Sequence, residues 1–246
     1  MNQWVEWSEQ PTSKSRVVYT PSGISHEGFI NLLTILRPHQ TRTQIDDVTT
    51  LVPLARMHHR VKLTDQAQKD YDHTTGLNGL DRHLARQQSS RDSTAIVPTV
   101  MDLLQETYAM HSSVLIFSEM FDLLTPIARE LEARGITFLQ IDGSVPESKR
   151  GNIIDRHQQG EARVLLLTAA AEAGINAQRS TLLISVVQSY SPSRERQREG
   201  RIRRIGSVGP ELVHAIVRPE VGHEKRRSQI LEEKEDLIQV MWKFLA

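Results

Sequence analysis

Two arginines and a glutamine near residue 200 have spacing suited to phosphate binding. Gln197, Arg201 and Arg204 stand at positions i, i+4 and i+7, so a helix through this segment would project them from one face. Guanidinium groups stay charged, bind phosphate oxygens in a bidentate manner and stabilise a phosphoryl group in transfer. The alternative is a solvated basic helix, because residues 194–204 hold six arginines against two glutamates and such runs usually lie at the surface.

A glycine and an asparagine, Gly174 and Asn176, follow the apolar run 164–167. Glycine lets the backbone approach a ligand closely, and a carboxamide can bond to a ribose hydroxyl. The pair is therefore compatible with a nucleotide-binding loop. The alternative is an asparagine that caps a helix after a turn glycine.

Small residues stand at the C-terminal ends of predicted strands, the place where ligands bind in open α/β sheets. They are Ser118, Gly143, Ser144 and Thr168. Their hydroxyls and backbone N–H groups can hold a nucleic-acid backbone without reading bases, and ordinary turn chemistry is the alternative for each. Arg150 either contacts a phosphate or pairs with Glu147.

Short apolar runs alternate with longer amphipathic or polar stretches from residue 112 onward. The apolar runs predict strands at 114–117, 136–141, 164–167, 182–187 and 212–217. The other stretches predict helices at 121–134, 147–157, 193–204 and 223–242. Buried strands that alternate with helices of this length predict an α/β fold, with a parallel sheet and helices on both of its faces.

The first 110 residues lack this alternation. Residues 1–35 are mixed, with a turn-rich patch at 20–23 and a short apolar segment at 29–36. Residues 36–110 are predicted to be mostly helical. Within them Thr64 is a possible helix cap, and 85–94, rich in Arg, Gln and Ser, is predicted to be an exposed or mobile connection. The predicted domains are an N-terminal extension and helical linker region at 1–110, a lobe at 111–220 and a C-terminal helix at 221–246.

The composition excludes several classes of protein. The 246 residues contain 30 Lys and Arg, 30 Asp and Glu and no Cys, so a disulfide scaffold, a thiolate nucleophile and a Cys-ligated metal are excluded. The ten scattered histidines predict no metal site. No apolar run approaches the ~20 residues of a membrane span, and the polar N-terminus is unlike a signal peptide. Zero net charge implies that any contact with nucleic acid is local.

Several motifs occur in the order in which one family carries them. The string from Gln197 to Arg204, Q-x-x-G-R-x-x-R followed by Ile-Gly, resembles the arginine-finger motif of Swi/Snf-type helicases and translocases of superfamily 2. Further segments resemble the second lobe of that family and the helical region before it: 42–53, 61–71, 114–118, 141–150, 164–168, 173–176 and 190–192. The resemblance covers residues 36–217 and implies a RecA-like three-layer α/β/α lobe after a mostly helical segment.

The resemblance also implies roles for individual residues. Arg201 and Arg204 would be arginine fingers acting on ATP, and Gln197, Gly174 and Asn176 would contact the nucleotide. Double-stranded DNA would be held by Ser118, Gly143, Ser144, Arg150 and Thr168. The sequence departs from the family pattern at Thr43-Gln44, Ala177, Val187 and Ser207, and at Val187 it replaces an aspartate expected near the interlobe cleft.

Two motifs of a helicase ATPase do not occur in these 246 residues, the G-x-x-x-x-G-K-[S/T] phosphate loop and the D-E-x-[H/D] segment. The leading hypothesis is that a separate polypeptide carries this N-terminal ATPase lobe, shares ATP with the present chain and alone binds Mg²⁺. The alternatives are a non-catalytic DNA- or protein-binding module, such as a decoy of a helicase, and a fragment of a longer product. The expected location is cytoplasmic, or with DNA in the nucleoid or nucleus, without a membrane partner.

Overall fold

The computed structural model describes residues 5–11, 17–24, 26–36, 51–119, 121–168, 175–187 and 191–245. The chain divides into two compact units, one formed by 49–232 and the other by 1–48 together with 233–246. The larger unit contains the lobe predicted at 111–220 and extends beyond it at both ends. None of the helices in the described ranges is both long and apolar enough to cross a membrane.

The described part of the N-terminal segment is a β-hairpin followed by a helix. Strand β1 (Val5–Pro11) pairs antiparallel with β2 (Val17–Ile24), and α1 covers His26–Leu36. The patch 20–23, predicted as a turn, lies inside β2. The register of pairing with β1 shifts at this patch, and such a bulge accommodates Pro and Gly within a strand. The apolar segment 29–36 belongs to α1.

The remaining described elements belong to the larger unit, except that the last helix continues past residue 232. In chain order they are β3 (Leu54–Val61), α2 (Asp65–His73), a 3-10 turn (Thr74–Gly76), α3 (Gly79–Ser89), α4 (Ser93–Asp102), a π-helical turn (Leu103–Thr107), β4 (Val114–Ser118), α5 (Phe121–Ala133), β5 (Phe138–Ile141), α6 (Glu147–Gln159), β6 (Val164–Thr168), β7 (Leu182–Val186), α7 (Pro192–Ile202), β8 (Leu212–Pro219) and α8 (Gly222–Leu245). The five strands predicted after residue 112 are confirmed, each with ends within two residues of the expected ones.

Six strands form one parallel sheet in the order β3-β8-β7-β4-β6-β5. Side chains alternate between its two faces, so that in β4 Val114 and Ile116 join one hydrophobic cluster while Leu115 and Phe117 join the other. Helices α4 and α5 supply the first cluster, and α6 and α7 contribute to the second. The sheet therefore lies between two helical layers, and the predicted α/β fold is confirmed.

Most of the described residues between 51 and 110 are helical, as expected, but strand β3 was not predicted. It pairs in parallel with β8 at the edge of the sheet. Its middle carries the exposed Arg56, Met57 and His58 in place of an apolar run. An edge strand has only one neighbour to pair with, and a polar sequence there gives no buried-strand signal.

The stretch 85–94 is not an exposed connection, because most of it lies in α3 and at the start of α4. The link between these helices contains the buried Asp92, which accepts hydrogen bonds from the backbone N–H groups of Thr64 at 2.8 Å and Thr94 at 3.1 Å. Asp92 thus caps α4 and ties it to the start of α2. Thr64 caps α2 as predicted, since its hydroxyl accepts the N–H of Ala67.

Strand β5 begins at Phe138, two residues later than expected, because Ile136 still belongs to the end of α5. Gly135 adopts φ 67°, and the Ile136 N–H donates to the carbonyl of Leu131 at 2.9 Å. This left-handed residue and the bond that closes over it form a common helix C-terminus.

Candidate functional site

Two of the segments predicted to contact nucleotide meet at the end of α7. Arg201 Nη1 donates to the carbonyl of Ile175 at 3.2 Å, and the Ala177 N–H donates to the carbonyl of Arg201 at 3.0 Å. The Arg204 guanidinium donates to the carboxamide oxygen of Asn176. The fold therefore brings Asn176, Arg201 and Arg204 together, although more than 20 residues of chain separate the two segments.

Arg204 does not share a helix face with Gln197 and Arg201, because α7 ends at Ile202. The residue after the helix, Arg203, takes φ −94° and ψ 84°, which turns the chain out of the helix. In the turn that follows, the Ser207 hydroxyl accepts the N–H of Arg204 at 2.7 Å. The turn directs Arg204 towards Asn176, so the site is built from a helix end and two loops.

The predicted nucleotide contacts differ in exposure. Gln197, Asn176 and Arg204 are exposed, whereas Arg201 is half-buried. Gly174 lies outside the described residues. The roles assigned to these residues stay predictions.

The basic segment 194–204 is only partly solvated. Arg198 is 1 % exposed, and its guanidinium carbon lies 3.8 Å from the centre of the Phe117 ring. The same guanidinium pairs with Glu195 and with Glu119, each at 2.7 Å. A buried cation with two carboxylates and an aromatic face belongs to the core of the fold, so the arginine count overstates the charge available to a ligand.

A second network joins α7 to the sheet, and its members Glu199, His214 and Ser185 are buried. Glu199 accepts both arms of the Arg56 guanidinium at 2.6 Å each and lies 2.8 Å from Nδ1 of His214. His214 Nε2 lies 2.8 Å from the hydroxyl of Ser185. Burial alone would raise the pKa of Glu199, but the hydrogen bonds and charges of Arg56 and His214 outweigh it and lower this pKa to about 2.

Sequence reasoning missed this buried face of α7, although a signal for it exists. Glu195, Arg198, Glu199 and Ile202 are the buried residues of the helix, and they stand at i, i+3, i+4 and i+7. Three of the four are charged, which hides the stripe from any search for apolar residues. No feature near His214 in the sequence links it to Glu199.

The strand ends predicted to hold nucleic acid do lie at one edge of the sheet. Ser118 and Thr168 end neighbouring strands and are paired in register, and both are buried. Gly143 is exposed just beyond β5, which pairs with β6. The Thr168 hydroxyl is buried and has no hydrogen-bond partner among the described residues.

Two other residues predicted to contact DNA have partners in the protein. The Ser144 hydroxyl and N–H both bind Oδ1 of Asp142, at 2.6 and 2.8 Å, and the hydroxyl bond is the main reason why the pKa of Asp142 lies below its usual range. This is a local turn of the ordinary kind. Arg150 Nε donates to the carbonyl of Val145 at 3.0 Å.

Known proteins share this segment and this fold. The family described as "Helicase conserved C-terminal domain" matches residues 96–206. The rice (Oryza sativa subsp. japonica) SNF2 domain-containing protein ENL1 is 29 % identical over 132 residues, and the ATP-dependent helicase fft2 of Schizosaccharomyces pombe is 31 % identical over 114 residues. These matches cover 53 and 46 % of the chain. The chain spans only 13 % of the rice protein and 9 % of the yeast protein.

Two solved structures share the fold at low sequence identity. The C-terminal part of the Fun30 ATPase domain superposes with a TM-score of 0.60 and 16 % identity, over 74 % of this chain and 89 % of that one. The Sulfolobus solfataricus SWI2/SNF2 ATPase C-terminal domain gives 0.58 and 14 %, over 76 and 89 % of the two chains. Residues 96–206 match a helicase C-terminal domain, and the chain is similar to proteins of the Swi/Snf type.

The donor set of this lobe fits a nucleotide. Arg201 and Arg204 supply guanidiniums for phosphate oxygens, and Asn176 supplies a carboxamide for a ribose hydroxyl or a phosphate. No group of three or more His, Cys, Asp or Glu that could hold a metal ion occurs among the described residues of the lobe.

Proposed function

We propose that this Swi/Snf-type lobe is the second half of an ATP-driven translocase on double-stranded DNA, and that another polypeptide supplies the first lobe. The observation that carries the proposal is the meeting of two predicted nucleotide segments, in which Arg201 contacts Ile175 and Arg204 contacts Asn176. A phosphate chain needs such groups from several segments at one place. The contacts therefore favour a nucleotide site at the end of α7.

Arg204 is the residue best suited to act on a transferring phosphoryl group. Its only side-chain partner among the described residues is the neutral carboxamide of Asn176, and no carboxylate lies within 4.0 Å of its guanidinium. Arg198 and Arg56, by contrast, are each held by carboxylates. An exposed guanidinium with its charge uncompensated can turn to a phosphate and stabilise charge there, a contribution of about 10³ to 10⁵ in rate for arginine fingers.

ATP bound between the lobes would supply the phosphoryl transfer that drives movement. Arg201 and Arg204 would hold phosphate oxygens, Asn176 and Gln197 would orient the nucleotide, and the first lobe would provide the phosphate loop and bind Mg²⁺. Neither motif for those two tasks occurs in these 246 residues. The present lobe would thus complete a site that it cannot form by itself.

The DNA backbone would run along the edge where β4, β5 and β6 end. Gly143 would offer a backbone N–H there and Thr168 a hydroxyl, and such groups position a backbone without reading sequence. The buried Thr168 hydroxyl, which has no hydrogen-bond partner among the described residues, supports this placement. Such binding would put the protein with DNA in the cell, in the nucleoid or nucleus.

Reconstitution with a first-lobe polypeptide tests the proposal. The chain alone should hydrolyse ATP negligibly, and mixing it with a polypeptide that carries both missing motifs should restore turnover stimulated by duplex DNA. Arg204→Ala should abolish that turnover, while Arg226→Ala, an exposed arginine on α8, serves as the matched control. Turnover by the chain alone, or indifference to Arg204→Ala, would overturn the mechanism. DNA binding without any restored turnover would favour a non-catalytic binding module.

A further inference from the structure

Two arginines face each other across neighbouring strands away from the nucleotide segments. Arg60 on β3 and Arg218 on β8 are partners in the parallel register, one position before each strand ends. Paired residues on neighbouring strands project from the same face of a sheet, about 4.8 Å apart at the backbone. Like charges in that arrangement repel each other.

Nothing in the described protein neutralises this pair directly. No carboxylate oxygen among the described residues lies within 4.0 Å of either guanidinium. The Arg218 guanidinium donates to the hydroxyl of Ser228, a neutral partner. Burial and then the charge of Arg60 lower the pKa of Arg218, and the charges of Glu232 and Glu224 oppose that shift.

The two arginines line a cavity of about 350 Å³. Its charged lining consists of Arg60, Arg218, Lys225, Glu220 and Glu232, so three cations face two carboxylates. The remaining lining comes from the end of β8, the link after it and the first turns of α8, all within the compact unit 49–232. The cavity is large enough for a phosphate or pyrophosphate group and cationic on balance.

We propose that Arg60, Arg218 and Lys225 form a phosphate-binding site. A pair of guanidiniums without carboxylate partners is what a tetrahedral anion requires, because each fork can bind two of its oxygens. The anion would also remove the repulsion between the two arginines.

The position of the site favours a phosphate of the DNA backbone, and this choice of source rests on the proposed function. All six strands are parallel, so β3 and β8 end at the same edge as β4 and β6. Strand β8 is two strands from β4, about 10 Å away. That distance is the rise of about three base pairs of duplex. One duplex lying along the edge could therefore reach both places.

The first experiment asks whether a free anion binds. Thermal unfolding of the 246-residue chain is followed with and without millimolar pyrophosphate, for wild type, Arg60→Gln, Arg218→Gln and the control Arg226→Gln, whose side chain is exposed on α8 outside the cavity. Wild type and the control should gain about 3 °C in Tm, and the two cavity variants should gain less than about 1 °C. Arg60 is exposed, so Arg60→Gln gives a folded variant even if Arg218→Gln does not.

The second experiment asks whether the anion is a DNA phosphate. Binding of a duplex to the same variants is measured over a range of salt concentrations. Loss of one phosphate contact should lower the slope of log K against log salt by about 0.9 in the cavity variants and leave it unchanged in Arg226→Gln.

The combined outcomes decide the proposal. Loss of the pyrophosphate response alone supports a site for a free phosphate, and a reduced salt slope, with or without that loss, supports a backbone contact. If the cavity variants match wild type in both experiments, the site does not exist. Both readouts are independent of ATP turnover, so a failed reconstitution would leave them intact and would count only against the proposed function.

Discussion

The guanidinium of Arg204 donates a hydrogen bond to the carboxamide oxygen of Asn176, 28 residues earlier in the chain. Both side chains are exposed, so water competes for the bond and its contribution to the free energy of unfolding is small. Arg204 lies beyond the end of α7, so the helix does not set the direction of its side chain. The bond to Asn176 sets that direction instead. Its effect should therefore be seen in function and hardly at all in stability.

Asn176→Ala should separate these two effects. We expect the free energy of unfolding of the chain, measured with urea, to change by less than about 1 kcal/mol. ATP turnover of the reconstituted pair of lobes should fall about 10- to 100-fold, the value of one hydrogen bond to a charged group. Gln178→Ala is the control, since Gln178 lies in the same loop and donates to the carbonyl of Ile205. A large loss of stability in Asn176→Ala would show that the contact is structural.

Glu199 should make stability depend on pH below 5. Its pKa is lowered from 4.5 to about 2, since the hydrogen bonds and charges of Arg56 and His214 outweigh the effect of burial. A carboxyl with a depressed pKa stabilises the folded state above its unfolded pKa, and this stabilisation is lost as the pH falls from about 4.5 to about 2. The shift corresponds to about 3 kcal/mol.

Glu199→Gln isolates this contribution. Wild type should be more stable than the variant at pH 7, and the difference between their urea unfolding free energies should shrink by about 3 kcal/mol between pH 5 and pH 2. The exposed Glu211→Gln is the control. A difference between wild type and Glu199→Gln that stays constant over this range would contradict the assignment.

Arg198 should be far more important for stability than its neighbour on the same helix. Arg198→Met removes a buried cation that pairs with Glu195 at 2.7 Å, and it should cost about 3 to 5 kcal/mol in the free energy of unfolding. Arg194→Met should cost less than about 1 kcal/mol, because Arg194 is 40 % exposed and lies 3.3 Å from Glu119. Equal costs for the two substitutions would show that the buried cation contributes nothing beyond a surface pair.

The central strands could be predicted from the sequence, whereas the sheet edge could not. Strands β4, β6 and β7 are buried along their whole length, so their apolar runs are unambiguous. Strand β3 lies at the edge and carries arginines and histidines, which removes that signal. The bulged strand β2 contains Pro and Gly inside the paired segment, and the same residues usually indicate a turn.

The candidate site was predictable as a set of residues but not as an arrangement. The order of motifs indicates that Asn176, Arg201 and Arg204 belong together, and the structure places them in contact. Which arginine of the segment is buried beside carboxylates depends on tertiary partners. Glu119 and Phe117, which contact Arg198, lie far from it in the sequence.

Val187 is a β-branched residue held in the left-handed region, with φ 62°. Its N–H donates to the carbonyl of Val217 at 3.0 Å, which fixes the backbone there, and its side chain is 4 % exposed. A valine in this conformation is strained by roughly 1 to 3 kcal/mol. Aspartate, the residue expected at this position from the resemblance to Swi/Snf-type helicases, adopts it more readily.

Two adjacent buried valines therefore allow a matched test of that strain. Val186→Gly, in regular strand β7, should cost about 3 kcal/mol or more, because it removes a buried side chain and adds backbone freedom in the unfolded chain. Val187→Gly loses a similar side chain but releases the strain, so it should cost about 1 kcal/mol or less in urea unfolding. Equal costs for the two substitutions would show that Val187 stores no strain at the end of β7.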